Sequence, residues 1–173
     1  MKIETQRLII TEFTPDMAPA VHENSLDEDT LRFVPDEVFD TVEEAAETIA
    51  FLMGQYAGRE GPLVYPVLLK NGPYIGYVQS VPLGDGEWEI GYHIGSRYTH
   101  QGYATEAVKA FLPAVMERLG LEEITGICMK ENMASRRVME KCGFQLLREG
   151  KGPYQGAERE ICVYQYRSGR ETA

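Results

Sequence analysis

Ile94-Gly95-Ser96-Arg97-Tyr98-Thr99-His100-Gln101-Gly102-Tyr103-Ala104-Thr105-Glu106-Ala107 is the stretch whose reading decides the fold. A strand ends at Ile94, a short polar loop turns, and a helix begins at Gly102–Ala104. The first turn of a helix leaves main-chain N–H groups without internal partners at the positive end of the dipole, so it can hold a phosphate. Gly102 admits a diphosphate close to the backbone, and Ala104 is small for the same reason. No Gly-Lys-Ser/Thr follows and the pattern is not Gly-x-Gly-x-x-Gly, so neither a Walker loop nor a dinucleotide fold is supported. Gly-Tyr-Ala alone also fits an ordinary helix cap.

Working outward, strands are expected at Gln6–Phe13, Leu63–Lys70, Tyr74–Pro82 and Glu87–Gly95. Asn71-Gly72 and Asp85-Gly86 join the last three as hairpin dipeptides that tolerate positive φ. Thr41–Ala57 reads as a helix, opened by a Thr41/Glu44 capping box, with Val42, Ala45, Ala46, Ile49, Leu52, Met53 and Tyr56 on one face. A shorter helix is expected from Pro15 to Asn24. After the quoted loop come a helix to Leu119, a strand Glu123–Met129, a helix Met133–Lys141 and strands Phe144–Arg148 and Glu160–Tyr166. Pro113 inside the first of these removes one helical bond, and a bend is expected there. Residues 25–40 and 150–158 read as loops at the substrate end. The pattern predicts an α/β chain: a central mixed, mostly antiparallel sheet of six or seven strands with helices on both faces. One domain over residues 1–167 and a solvated tail at 168–173 are expected.

With 173 residues and 43% apolar content, the chain can bury a core of its own. A net charge of −10 argues against a nucleic-acid partner, which calls for a basic stripe. It fits either solubility or attraction of a cationic substrate. No apolar run approaches a membrane span, and Met1-Lys2-Ile3-Glu4 does not read as the start of a signal peptide. Cys128, Cys142 and Cys162 are unpaired in spacing and read as buried thiols, which places the protein in the cytoplasm. No cluster of His and Cys has metal-ligand spacing, so no metal is expected.

Three segments, in this order, resemble the GNAT N-acetyltransferases, in the branch of the ribosomal-protein-alanine acetyltransferases. They are Glu4-Thr5-Gln6-Arg7-Leu8; Glu89-Ile90-Gly91-Tyr92 leading into Gln101–Ala107; and Asn132-Met133-Ala134-Ser135-Arg136-Arg137 running to Cys142-Gly143-Phe144. The resemblance implies acetyl-CoA as cosubstrate, with main-chain N–H groups of Gln101, Gly102, Tyr103, Ala104 and Thr105 on the pyrophosphate. It further implies pairing of the strand end near Ile94 with the pantetheine arm, and a hydrogen bond from Asn132 to the coenzyme. Thr99 departs from the family pattern, which often has Gln or Arg three residues before the glycine.

Acetylating an amine needs a free lone pair, so a base must take a proton. A lysine-type amine is neutral in only about one part in 10³ at pH 7. On the strand Glu87–Gly95, Trp88, Ile90, Tyr92 and Ile94 alternate with Glu87, Glu89, Gly91 and His93. Glu89 is the candidate base if that second face lines a cleft, and a wet edge residue if it does not. His93 is the second candidate base, with a structural histidine as its alternative. Ser135 resembles the family position that stabilises the departing thiolate; otherwise it only completes the helix turn that Asn132 caps. Cys142 closes a helix, where the dipole opposes a thiolate, and reads as core. The tyrosines of this region read as packing.

The residues therefore predict transfer of acetyl from acetyl-CoA to a primary amine, a protein N-terminus or a small molecule, by direct attack in a ternary complex of a monomer or homodimer. A non-catalytic acyl-CoA-binding module is the competing reading.

Overall fold

The computed structural model describes residues 1–169; most of the expected tail, residues 170–173, lies outside the described residues. One sheet of eight strands organises the chain, in the order β1-β2-β3-β4-β5-β6-β8-β7. The strands are β1 Ile3–Glu4, β2 Leu8–Ile10, β3 Leu63–Leu69, β4 Tyr74–Gly84, β5 Glu87–Ile94, β6 Glu123–Met129, β7 Gln145–Tyr154 and β8 Ala157–Arg167. Every neighbouring pair is antiparallel except β5 and β6. The count exceeds six or seven because an additional short strand, Ile3–Glu4, precedes the expected first one and pairs with Leu8–Ile10, which also pairs with β3.

Helices α1 Ala18–Ser25, α2 Glu28–Phe33, α3 Val42–Gln55, α4 Tyr103–Leu119 and α5 Met133–Lys141 cover the sheet. On one face, Phe111, Leu112 and Val115 of α4 and Met139 of α5 pack on Tyr65, Val78 and Ile90. On the other, Val21 of α1 and Ala45, Ile49 and Leu52 of α3 pack with Val64 and Tyr74. Burying large side chains on both faces supplies the driving force for the fold, about 1.5–3 kcal/mol for each fully buried side chain. The helix α3 begins as expected, with Glu44 N–H donating to Thr41 Oγ1 at 3.1 Å, but the Glu44 carboxylate reaches back to Asp40 N–H rather than to Thr41. Met53 leaves the buried face and is exposed. The helix α4 continues through Pro113, which is exposed, so water can reach the carbonyl that its ring leaves unbonded.

Two loop expectations are corrected. Residues 150–158 are mostly strand: β7 and β8 form one long hairpin that turns at Gln155-Gly156, both at positive φ (51° and 75°). A Gln-Gly pair makes a two-residue turn of the same hand as Asp85-Gly86, and a glutamine in that position is a weak sequence signal. Residues 25–40 contain α2 and a single helical turn at Pro35–Glu37. Asn71-Gly72 does connect β3 to β4, but neither residue takes a positive φ; Gly72 N–H instead donates to Leu69 O at 3.1 Å.

The parallel pair β5–β6 has register at only two positions, Glu89 with Thr125 and Ile90 with Gly126. Beyond Ile90 the strands part. What holds the far end of β5 is β4, where Gly76 pairs with Ile94. A Cβ at Gly76 would lie 1.9 Å from the His93 carbonyl oxygen, a main-chain atom that cannot swing aside. Gly76→Ala should therefore destabilise the protein by about 3 kcal/mol, read as a lower urea midpoint with an unchanged m-value.

Candidate active site

A cleft of about 320 Å³ occupies the gap where β5 and β6 separate. Ile90, Gly91, Tyr92, His93 and Ile94 of β5 form one wall; Ile127 of β6 and Asn132 to Ser135 at the start of α5 form the other. Thr99, His100 and Ala104 stand at one end, and Glu37, Gln79, Glu89 and Tyr154 at the other. The cleft thus takes side chains from both faces of the sheet, Tyr92 from one and Glu89 from the other. It passes through the sheet at the missing strand contact.

The expected phosphate end has the geometry of a helix start. Gly102 is the N-cap of α4 at φ 81°, and its carbonyl accepts the first helical bond, from Glu106 N–H at 3.0 Å. The N–H groups of Tyr103, Ala104 and Thr105 consequently lack helical acceptors. Of this loop, Ala104 lines the cleft with Thr99 and His100, whereas Gln101, Gly102, Tyr103 and Thr105 are not among its lining residues. The Thr99 hydroxyl donates to Ser96 O at 2.9 Å and so braces the loop itself.

Arg7 fastens this corner, a role the sequence did not disclose beyond its place in the first motif. Its guanidinium donates from Nε to Glu106 Oε2 at 3.0 Å and from Nη1 to the Gln101 carbonyl at 2.9 Å, and it lies 4.3 Å from the Tyr103 ring centroid. One residue therefore ties β2 to both the loop and the first turn of α4.

At the α5 wall, Asn132 Oδ1 accepts from Ser135 N–H at 3.1 Å, the expected cap. The Ser135 hydroxyl lies 2.9 Å from the Tyr92 hydroxyl, which also donates to Ser135 O at 2.8 Å. Tyr92 is thus not packing alone, which corrects the reading of the tyrosines. Alternation along β5 had put Tyr92 on the face opposite Glu89, and the opening between the strands is what brings both to one cleft. Burial pushes the Tyr92 hydroxyl well above the usual phenol range. Cys142 is buried in the core, its thiol pushed up to about 11 by desolvation, so it is no nucleophile at neutral pH.

At the far end, β4 and β5 set Tyr77 opposite His93, Gln79 opposite Gly91 and Val81 opposite Glu89 on one face. The bare Gly91 lets Gln79 lie across it: a Cβ there would be 2.7 Å from Gln79 Nε2. Gln79 Nε2 in turn donates to Glu37 Oε1 at 3.3 Å. The other oxygen, Glu37 Oε2, is buried without a hydrogen-bond partner. Burial raises the Glu89 carboxyl to about 7, with further upward pressure from Glu37. Burial likewise raises Glu37 to about 7, against the lowering bond from Gln79. Glu37 escaped the sequence reading because residues 25–40 carried no periodic pattern. The His93 Nε2 lies 3.0 Å from Thr30 Oγ1, and burial lowers its pKa against the raising effect of Asp27 and Asp29. The hairpin tip closes over this end, where Gln155 Oε1 accepts from Asp36 N–H at 3.0 Å.

Comparison with known proteins agrees with this architecture. A family profile described as acetyltransferase (GNAT) domain matches residues 7–145. The chain is similar to the uncharacterized N-acetyltransferase YnaD of Bacillus subtilis, 34% identical over 152 residues that cover 87% of this chain and 85% of that one. Among solved structures it resembles a GNAT-family acetyltransferase from Bacillus anthracis, with TM-score 0.80 and 29% identity over 96% of this chain and 98% of the other. In fold it also resembles RimL, a ribosomal L7/L12 alpha-N-protein acetyltransferase solved with coenzyme A, with TM-score 0.82 and 18% identity over 96% and 98% of the two chains.

Arg7→Ala should raise the Kd for coenzyme A about tenfold, as measured by titration calorimetry, because the loop loses two charge-assisted bonds and a stacked cation. Arg7→Lys should restore little of it, since an ammonium cannot reach both acceptors as a fork does. The raised carboxyls also fix a sign for stability. A group whose folded pKa lies above its unfolded value of about 4.3 stabilises below that value, and this stabilisation is lost as pH rises through about 7. Glu37→Gln should therefore raise the melting temperature at pH 8 by at least ~2 °C and leave it nearly unchanged at pH 4.

Proposed function

Since the chain belongs to the GNAT family of acetyl-CoA-dependent N-acetyltransferases, we propose that it acetylates a primary amine by direct attack within the cleft between β5 and β6. Glu89 accepts the amine's proton and Ser135 stabilises the departing thiolate. The observation that carries this reading is the parting of β5 from β6 beyond Ile90, which puts Glu89 and Ser135 on one cleft with the start of α4 at its edge.

The pyrophosphate of acetyl-CoA lies against the N–H groups of Gln101 to Thr105, Asn132 hydrogen-bonds the coenzyme, and the pantetheine arm runs beside β5 near Ile94. Past Ile90, main-chain groups of β5 on the β6 side have no strand partner, so they are available to the arm and to the carbonyl oxygen that becomes an oxyanion. The amine nitrogen forms its bond to the carbonyl carbon, the proton passes to Glu89, and the carbon–sulfur bond breaks. The thiolate leaves with the electron pair. Ser135 turns its hydroxyl hydrogen from Tyr92 to the sulfur, and Tyr92 keeps the serine in place through its bond to Ser135 O. With a carboxyl raised to about 7, Glu89 is a far stronger base than an exposed glutamate.

A cytoplasmic protein acting on small molecules or protein N-termini fits this reading. Among the described residues no helix is long and apolar enough to cross a membrane.

Glu89→Gln should lower kcat/KM about 10²–10⁴-fold above pH 8, the range for loss of a general base. The deficit should shrink toward pH 5.5, where the wild-type carboxyl is itself protonated, and the Kd for acetyl-CoA should stay within twofold. Thiol release from acetyl-CoA across pH 5.5–9 measures both. Equal profiles for the two proteins would remove Glu89 from the reaction, and tight coenzyme binding with no release on any amine would favour the acyl-CoA-binding module.

A further inference from the structure

Behind Glu37 lies a second cavity of about 360 Å³, on the α1–α3 side of the sheet. It shares Glu37, Tyr77, Gln79 and His93 with the cleft, so the two spaces adjoin along these four side chains. Its walls are chiefly apolar: Phe13, Val21, Phe39, Ile49, Leu52 and Val64. Phe51, 55% exposed, stands among the lining residues and marks an opening to solvent beside α3.

The polar groups in these walls are mostly spent on the protein itself. Ser25 Oγ donates to His22 O at 2.8 Å and accepts from Phe39 N–H at 3.0 Å. Thr30 Oγ1 is taken by His93 Nε2, and Asn24 Nδ2 donates to Ile75 O at 3.4 Å. Peptide units placed here would lose their water and find few partners, at a cost of about 1–3 kcal/mol each. A hydrocarbon or aromatic body would lose nothing of that kind. At about 30 Å³ per water-sized group, the space takes roughly a dozen non-hydrogen atoms. Asp36 and Thr48 add polar groups to the lining, and Glu37, common to both spaces, keeps Oε2 buried without a hydrogen-bond partner, with Glu89 in the adjoining cleft. Gln79 satisfies only Oε1 of Glu37, and a cation would pair the oxygen that is left.

We infer that the acceptor is a small amphiphilic primary amine, whose ammonium lies between Glu37 and Glu89 and whose alkyl or aryl body fills the second cavity. The inference rests on the transfer reading above. It goes beyond that reading by assigning the specificity to the second cavity. Glu37 then binds the cation and Glu89 takes the proton that frees the lone pair; the second proton, lost from nitrogen once the C–N bond has formed, passes to the departing thiolate. A protein N-terminus is the acceptor that this space does not fit.

Titration calorimetry on the protein saturated with coenzyme A, which has no acetyl group to transfer, tests the inference without turnover. The probes are 2-phenylethylamine, ethylamine and a Ser-Ala-Ala tripeptide. The phenyl compound should bind at least tenfold more tightly than either of the others. Thr48→Trp, which fills the cavity from a partly exposed position on α3, should weaken 2-phenylethylamine at least tenfold and leave ethylamine within twofold. Glu37→Gln should weaken both amines, and it serves as an independent variant should the tryptophan perturb folding. Equal affinity for the two amines, or tighter binding of the tripeptide, overturns the inference. Because binding is read apart from thiol release, these results can fail while Glu89 remains the base. Loss of the pH effect at Glu89 likewise leaves the binding result standing.

Discussion

Two residue pairs hold β5 to β6, and the rest of the site follows from the pairing ending there. A parallel pair buried between helices is usually continuous, because each strand's main-chain groups need the other. Here the strands separate after Ile90, and the groups freed on β5 face a cleft rather than packed protein. The gap also joins the two faces of the sheet. Side chains that alternation should keep apart, such as Tyr92 and Glu89, meet on a single channel.

In a chain with a net charge of −10, two half-buried acidic side chains, Glu37 and Glu89, line this opening. Glu37 and Glu89 are raised mainly by desolvation and not by the general charge of the protein. Each carboxyl is held well above the usual carboxylate range, as groups at functional sites often are. The structural cost is met locally, through Gln79 lying over the bare Gly91 to reach Glu37.

Much of this was legible in the sequence, for identifiable reasons. The helix α3, the strands β3 to β6 and the start of α4 carry strong periodicity and punctuation, and they lie where they were expected. The alternation on β5 separated Glu89 from Tyr92 correctly because no bulge interrupts Glu87–Ile94. Glu37 and Tyr154 were not legible, since both reach the cleft from segments whose position depends on contacts distant in sequence. Arg7 was visible only as part of a motif; its partners, Glu106 and the Gln101 carbonyl, lie more than ninety residues away. The β7–β8 hairpin was missed because Gln155-Gly156 lacks the Asn or Asp that usually announces such a turn.

The contact between Gln155 and Asp36 joins parts of the chain 119 residues apart, yet it touches neither α4 nor α5. The roof over the Glu37–Glu89 end is therefore built from pieces independent of the Gly102 end. Lengthening or shortening the hairpin tip would reshape what enters beside Glu37 without disturbing the loop at Gly102. Two halves of one channel can thus change separately, so a scaffold of this kind can acquire new acceptors while its donor stays the same.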